Sequence, residues 1–268
     1  MKYKNIIGIL TYSKKSFLDQ CLESVIANSN LDNSIIVVAN NSENEAYIRE
    51  VEDLIISKPI AITTLNFRKN RGTSAAWNAI SKTYHCENVA ILNDDIYVHK
   101  GWDWAMEQVL NVERVGVAGF SLINGWDNWH YRNMEEFDYD KNKLSIHSTI
   151  YPPGCFLMFK KYKFDEVGGF DENLWIGLEE VDFSVSLMKH GFLNYQIVYD
   201  QERYKFANHY GGGTTYRSID APSDLQSIAS QGTDYFQNKH KTSWPLTPEY
   251  QEMLEKHAKN LVVKWRRI

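Results

Sequence analysis

Three short stretches of the chain gather side chains able to handle a metal ion, a phosphate or a proton. Asn93-Asp94-Asp95 follows an apolar run at 89–92, so both carboxylates stand on the turn that ends a strand. Carboxylate oxygens are the ligands that hard divalent cations prefer, and a strand-end pair can share such an ion with a diphosphate. An Asp pair in this place is also a common turn or helix cap. The second stretch is Glu179-Glu180-Val181-Asp182, at the start of a helical pattern that ends at Lys189-His190-Gly191. Acidic residues in a first turn complement the helix dipole; alternatively, Glu180 stands at the mouth of a site as a general base, a task for a carboxylate of tuned pKa. The third is His209, between Asn208 and Tyr210 and ahead of Gly211, Gly212 and Gly213. A lone histidine is more often a surface or core residue, but a neutral imidazole here could complete a metal shell.

The elements that must position these residues follow an alternating pattern. Residues 6–10 form a short continuous apolar run, as expected of a strand covered on both faces. Phe17, Leu18, Cys21, Leu22, Val25 and Ile26 then recur at helical spacing, and a second apolar run occupies 35–39 after turn residues at 28–33. The same reading predicts strands at 61–67, 89–92 and 115–120 and helices at 74–84 and 102–111. Strands alternating with helices argue for a mainly parallel, twisted sheet with helices on its faces. Such sheets bind ligands beyond the carboxyl ends of their strands. Residues 124–148 break the pattern with a polar, aromatic stretch, read as an inserted loop. A strand at 155–159, a helix at 178–190 and a strand at 193–199 follow. After a loop rich in Gly, Ser and Asp, a helix is predicted at 248–265, with Tyr250, Met253, Leu254, Leu261, Val262 and Trp265 on one face. Packing on the domain is the simple account of that stripe; its basic end, Lys264, Arg266 and Arg267, leaves a membrane surface or a partner open.

Composition narrows the classes further. The 268 residues are 43% hydrophobic and 24% charged, which suits an enzyme-sized globular protein and excludes a mainly disordered one. A net charge of −5 provides no basic field for nucleic acid, which is disfavoured as a partner though still open as an acceptor. Cys21, Cys86 and Cys155 are widely spaced and form no Cys-x-x-Cys pair, so no disulfide framework or cysteine zinc site is expected, in keeping with a reducing cytosol. No signal peptide is read at the start and no run approaches the roughly 20 apolar residues of a membrane span. The expectation is a cytoplasmic protein, with peripheral membrane attachment left open.

Taken in order, these pieces resemble the family 2 nucleotide-diphospho-sugar glycosyltransferases of the GT-A fold. The carriers are the opening strand through Thr11-Tyr12, the second strand through Ala39 with Asn40-Asn41-Ser42, and Asn70-Arg71-Gly72 leading through Ala75-Ala76 to Asn78. They continue with Asn93-Asp94-Asp95, Gly154 before an apolar strand, Gly168-Gly169-Phe170-Asp171-Glu172, the Glu179–Asp182 segment and His209. The resemblance implies an α/β fold with one GT-A type domain over 1–215 and a C-terminal loop and helix packed on it over 216–268. It implies a divalent cofactor, Mn or Mg, held by Asp95 and His209. A UDP-, GDP- or dTDP-sugar donor would meet Thr11, Tyr12, Asn40, Asn41, Arg71, Gly72, Asn93 and Asp94. Glu180 falls where the family usually carries the Asp of a Glu-Asp pair, and so matches the catalytic base with one extra methylene; Glu179 is the reserve. Ala39 stands where the family often has an Asp that bonds the nucleobase, which leaves the base open, with Asn40 or Asn41 as substitutes.

The implied reaction is one displacement at the anomeric carbon, with inversion, by the hydroxyl of a glycan or another acceptor. Trp126, Trp129 and Tyr131 could form an acceptor platform, since aromatic faces suit the apolar faces of sugars; anchoring the loop to the core is the competing role. A nucleotide-sugar-forming nucleotidyltransferase is one rival, but Thr11-Tyr12-Ser13-Lys14-Lys15 lacks the glycines of its usual loop. A noncatalytic glycan-binding module on the same fold is the other.

Overall fold

The computed structural model describes residues 3–112, 114–120, 133–139, 142–197, 206–209 and 223–265. The first half runs β1 (Tyr3–Thr11), α1 (Lys15–Asn28), β2 (Ser34–Asn40), α2 (Glu45–Ile56), β3 (Ile62–Asn66), α3 (Thr73–Lys82), β4 (Cys86–Asn93), β5 (Ile96–Val98), α4 (Trp102–Asn111) and β6 (Val115–Phe120). The second half adds β7 (Asn133–Tyr139), β8 (Asn142–Thr149), β9 (Phe156–Lys160), α5 (Lys161–Val167), α6 (Glu179–Lys189), β10 (Leu193–Ile197), β11 (Ala207–His209), α7 (Ser223–His240) and α8 (Pro248–Trp265).

Among the described residues, nine strands form one sheet in the order β3-β2-β1-β4-β9-β6-β10-β8-β7. Its first four strands are all parallel, as the alternating pattern predicts. Beyond β4 the sheet is mixed: β9 runs antiparallel to both of its neighbours, β10 is parallel to β6, and β8 is antiparallel to β10. Because β1, β2 and β4 are parallel, Thr11, Asn40 and Asn93 finish on the same edge.

Side-chain alternation along the strands divides the core between two faces. Ile7 and Ile9 of β1 face α1, α2 and α4, where Leu18, Leu22, Val51 and Trp102 are buried. Ile6 and Val37 face α3, α5 and α6, with Trp77, Phe164 and Phe183. A third apolar cluster joins the far side of α6, through Leu178, Val181, Val185 and Met188, to Phe236 of α7 and Leu254 and Ala258 of α8. Met253, placed on the apolar stripe by its spacing, is 49% exposed, whereas Leu254 is buried.

Several expectations need correction. The stretch read as an inserted loop at 124–148 contains β7 and most of β8, paired antiparallel. Its polar composition hides the strands, and β8 is held by a ladder to β10 rather than by an apolar run of its own. The Gly-, Ser- and Asp-rich region before α8 contains the 18-residue α7, where Phe236 and His240 are buried in an otherwise largely polar sequence. α2 lies where no element is predicted, although Tyr47, Ile48, Val51, Leu54 and Ile55 form a helical stripe behind Asn44, whose side chain accepts from the amides of Ala46 and Tyr47.

Candidate active site

The strand ends bring Thr11 and Asp94 together. The Asp94 amide donates to the Leu10 carbonyl at 3.1 Å, and Thr11 Oγ1 donates to Asp94 Oδ2 at 2.7 Å. That uses the one hydroxyl proton of Thr11, so the hydrogen bond between Thr11 and the Tyr47 hydroxyl is donated by Tyr47. Burial pushes the Asp94 carboxyl up to about 7; the Thr11 hydrogen bond opposes this and the charge of Asp95 adds to it. Tyr47 has no local sequence signal for a place in this relay, because 36 residues separate it from Thr11.

His209 reaches the same point by a different route. β5 and β11 form a two-stranded antiparallel ribbon in which Ile96 lies opposite His209. Asp95 is the residue before Ile96, so this register carries His209 Nε2 to 3.0 Å from Asp95 Oδ2, with Asp95 only 5% exposed. The Asp95 hydrogen bond raises His209 above the ordinary imidazole value, against the effect of burial. The Asp95 carboxylate and the His209 imidazole are donors of a type that suits Mn or Mg, and a dication would relieve the repulsion that helps to hold Asp94 high. The residues therefore fit the implied metal. Among the described residues no group of three His, Cys, Asp or Glu side chains is arranged to hold one, so Asp95 and His209 would supply only part of a shell.

The acidic start of α6 approaches this edge through a glycine. A methyl group on Gly154 would meet Cδ, Cγ and Cβ of Glu180 at 2.9, 3.0 and 3.1 Å, so the Glu180 side chain lies directly on the Gly154 backbone. The next residue, Cys155, accepts through its carbonyl from the Asn93 amide at 2.9 Å. Glu180 is thus one backbone layer from the Asp motif. It is half-buried, and Glu179 is 7% exposed.

The other expected donor contacts divide. Tyr12 is 41% exposed and Arg71 is exposed, its guanidinium 5.0 Å from the centre of the Phe67 ring. Both are open to a ligand. Asn40 and Asn41 are 0% and 5% exposed and serve the loops themselves. Asn40 accepts from the Ser42 amide. Asn41 donates to Asn70 and the Gly72 carbonyl and accepts from the Arg71 amide, which fixes the approach to α3. Gly72 has φ of 79° and no room for a methyl group beside Trp175, whose indole would lie 2.5 Å from it. Trp175 opens the stretch that runs into the acidic pair, but its proximity to Gly72 spans about a hundred residues of sequence and has no local mark. Trp126, Trp129 and Tyr131 lie outside the described residues.

Asp182, the third carboxylate of the acidic stretch, points the other way. It is 1% exposed and is bound by Lys239 and His240 of α7.

The fold is shared with solved glycosyltransferases. A complex of GalNAc-T7 with UDP, GalNAc and Mn2+ is 14% identical with a TM-score of 0.59; the match covers 94% of this chain and 55% of that one, so the present chain spans about half its length. The mannosyltransferase PcManGT from Pyrobaculum calidifontis, in complex with GDP-Man and Mn2+, is 12% identical with a TM-score of 0.59, covering 98% and 81% of the two chains. TarS from S. aureus is 15% identical with a TM-score of 0.57, covering 88% and 40%. No curated protein matches the sequence. Residues 6–168 match the model described as glycosyl transferase family 2, and with more than half of its length matched and the GT-A type fold in place, the chain belongs to that family.

Proposed function

We propose that the chain transfers a sugar from a nucleoside diphosphate donor to an acceptor hydroxyl, with inversion at the anomeric carbon. The observation that carries this reading is the seating of Glu180 on Gly154, one hydrogen-bonded backbone step from Asn93-Asp94-Asp95. It supports the reading of Glu180 as a proton acceptor beside a candidate diphosphate site. The acceptor oxygen would form its bond to the anomeric carbon as the bond from that carbon to the diphosphate oxygen breaks. Its proton would pass to Glu180, and the nucleoside diphosphate would leave with the electron pair. Asp95 and His209 would hold a divalent cation, Mn or Mg; the chemistry such an ion supplies is neutralisation of the charge that grows on the leaving group. Asp94, held by the Tyr47–Thr11 relay, would face the ribose or the metal shell, with Arg71 and Tyr12 exposed on the same edge for the rest of the donor. Two of the similar structures hold Mn2+ with UDP and GalNAc or with GDP-Man, which supports a nucleotide and a metal here without choosing the sugar. The acceptor side rests on sequence alone, through Trp126, Trp129 and Tyr131.

Glu180→Gln tests the reading. It preserves shape but removes proton acceptance, so turnover should fall by roughly 10²- to 10⁴-fold, with binding of UDP or GDP plus Mn2+ nearly unchanged. Glu179→Gln should cost less. Near-normal transfer by both variants would reject the base assignment.

A further inference from the structure

One face at the end of α7 grips the segment that delivers the acidic pair. Lys239 Nζ lies 2.7 Å from Asp171 Oδ2 and 2.7 Å from Asp182 Oδ1. The Tyr235 hydroxyl donates to Asp171 Oδ2 at 2.9 Å. His240 Nε2 is 2.7 Å from Asp182 Oδ1, while its Nδ1 is 2.7 Å from Lys189 Nζ. An ammonium group only donates, so Nδ1 accepts and the ring proton sits on Nε2, directed at Asp182. The His240 and Asp182 side chains are 1% and 2% exposed, and the His240 ring packs against Phe236 with centroids 4.6 Å apart. α7 is therefore bonded to the loop before α6 and, through Asp182 and Lys189, to the first and last turns of α6.

What lies between the gripped points gives the arrangement its consequence. Between Asp171 and Asp182 the backbone passes through Gly177 at φ of 82° and Leu178 at φ of 68°. A left-handed leucine is unfavourable, and such a residue persists where its surroundings over-determine it. The next two residues are Glu179 and Glu180. Leu178 is itself buried, in the same cluster as Phe236, but apolar packing tolerates small sliding. A lysine bonded to carboxylates on both sides of the strained turn fixes its span.

We propose that Lys239 and His240 are positioning residues for the acidic start of α6, tying Asp171 and Asp182 together so that the turn at Gly177-Leu178 aims Glu179 and Glu180 at the Asp94-Asp95 edge. This rests on the reading of those two glutamates as the proton-accepting pair. It makes α7 part of the working site, although all of its bonds are remote from the reacting atoms. A buried ionic cluster is in itself weak evidence of stability, and fixing a geometry is the role assigned to this one. Lys239 is 31% exposed, and its loss is compatible with folding because Asp182 keeps His240 and Asp171 keeps Tyr235.

The test compares Lys239→Met and Lys239→Arg with the parent chain. Amide hydrogen exchange is followed in 171–182 and, as a reference, in β1 and β4. Turnover is measured with Mn2+ and a panel of UDP- and GDP-sugars, and binding of Mn2+ with UDP or GDP by calorimetry. Lys239→Met should accelerate exchange in 171–182 by roughly tenfold without changing β1 or β4. It should lower turnover at saturating donor by roughly tenfold while nucleotide affinity stays within about twofold, and Lys239→Arg should restore both. Unchanged exchange in 171–182, full turnover by Lys239→Met, or a loss of turnover that only follows a loss of folded protein would overturn the proposal. Failure of the base assignment is separable, since it appears in the two Glu→Gln variants and leaves the exchange result standing.

Discussion

At the scale of single residues, the site is a set of carboxylates given different tasks by their surroundings. Asp94 and Asp95 are neighbours in sequence, yet Asp94 is held by Thr11 and pushed up to about 7 chiefly by burial, whereas Asp95 is bonded to His209. Glu179, Glu180 and Asp182 diverge as sharply: one is buried, one lies on Gly154, and one is locked to α7. The assignment of metal ligands makes a direct prediction. Asp95→Asn replaces a charged oxygen donor with a neutral amide, a poorer ligand for a hard dication. Nucleotide binding should weaken, and its dependence on Mn or Mg should largely vanish. Isothermal titration of UDP and GDP with and without a chelator checks this; an affinity indifferent to both mutation and chelator would remove Asp95 from the metal site.

At the scale of elements, the site is assembled by strand ends and close backbone approach. The strands at 6–10, 35–39 and 89–92 were legible because burial on both faces of a parallel strand leaves an unbroken apolar run. The Asp motif was legible for the related reason that such a run ends at the edge where ligands bind. β7, β8 and α7 were not, because β8 is ordered by pairing with β10, β7 by pairing with β8, and α7 by a few contacts with α6, rather than by a periodic apolar pattern of their own. The acidic first turn could be seen in the sequence, but not its division of labour, since the partners of Glu180 and Asp182 lie 26 and 58 residues away, at Gly154 and His240. Gly154 supplies a prediction at this scale. In Gly154→Ala the new methyl group would stand 2.9 Å from Glu180 Cδ, so the carboxylate must yield by a few tenths of an ångström while the strand keeps its place. Turnover should drop by roughly tenfold with little change in melting temperature. Full activity in this variant would mean that the seat of Glu180 is not the working position.

At the scale of the whole molecule, the sheet and its two helical layers form the edge that carries the candidate site, and the C-terminal helices brace α6 from behind through an apolar cluster and an ionic one. The ionic part makes stability respond to acid in a defined window. Burial alone would raise Asp171, but hydrogen bonds from Lys239, the Asn173 amide and Tyr235 outweigh it and hold the carboxyl at about 2. In the unfolded chain the same group titrates at about 3.9. A carboxyl with a depressed folded pKa stabilises the fold fully above its unfolded value, and that stabilisation disappears as the pH falls through the folded one. For Asp171 the window therefore runs from about pH 4 down to about pH 2. Its side chain is 17% exposed and Lys239 is 31% exposed, so solvent screening reduces the contribution to about 1 kcal/mol. Asp171→Asn should accordingly lower stability by that amount at pH 7, and the gap between the two proteins should close between pH 4 and pH 2, where the parent loses what the variant never had. Urea unfolding midpoints at pH 7, 4, 3 and 2.5 would measure it. A gap that stayed constant across this range would mean that the amide substitution acts through packing and that the Asp171–Lys239 pair carries no charge-dependent stability.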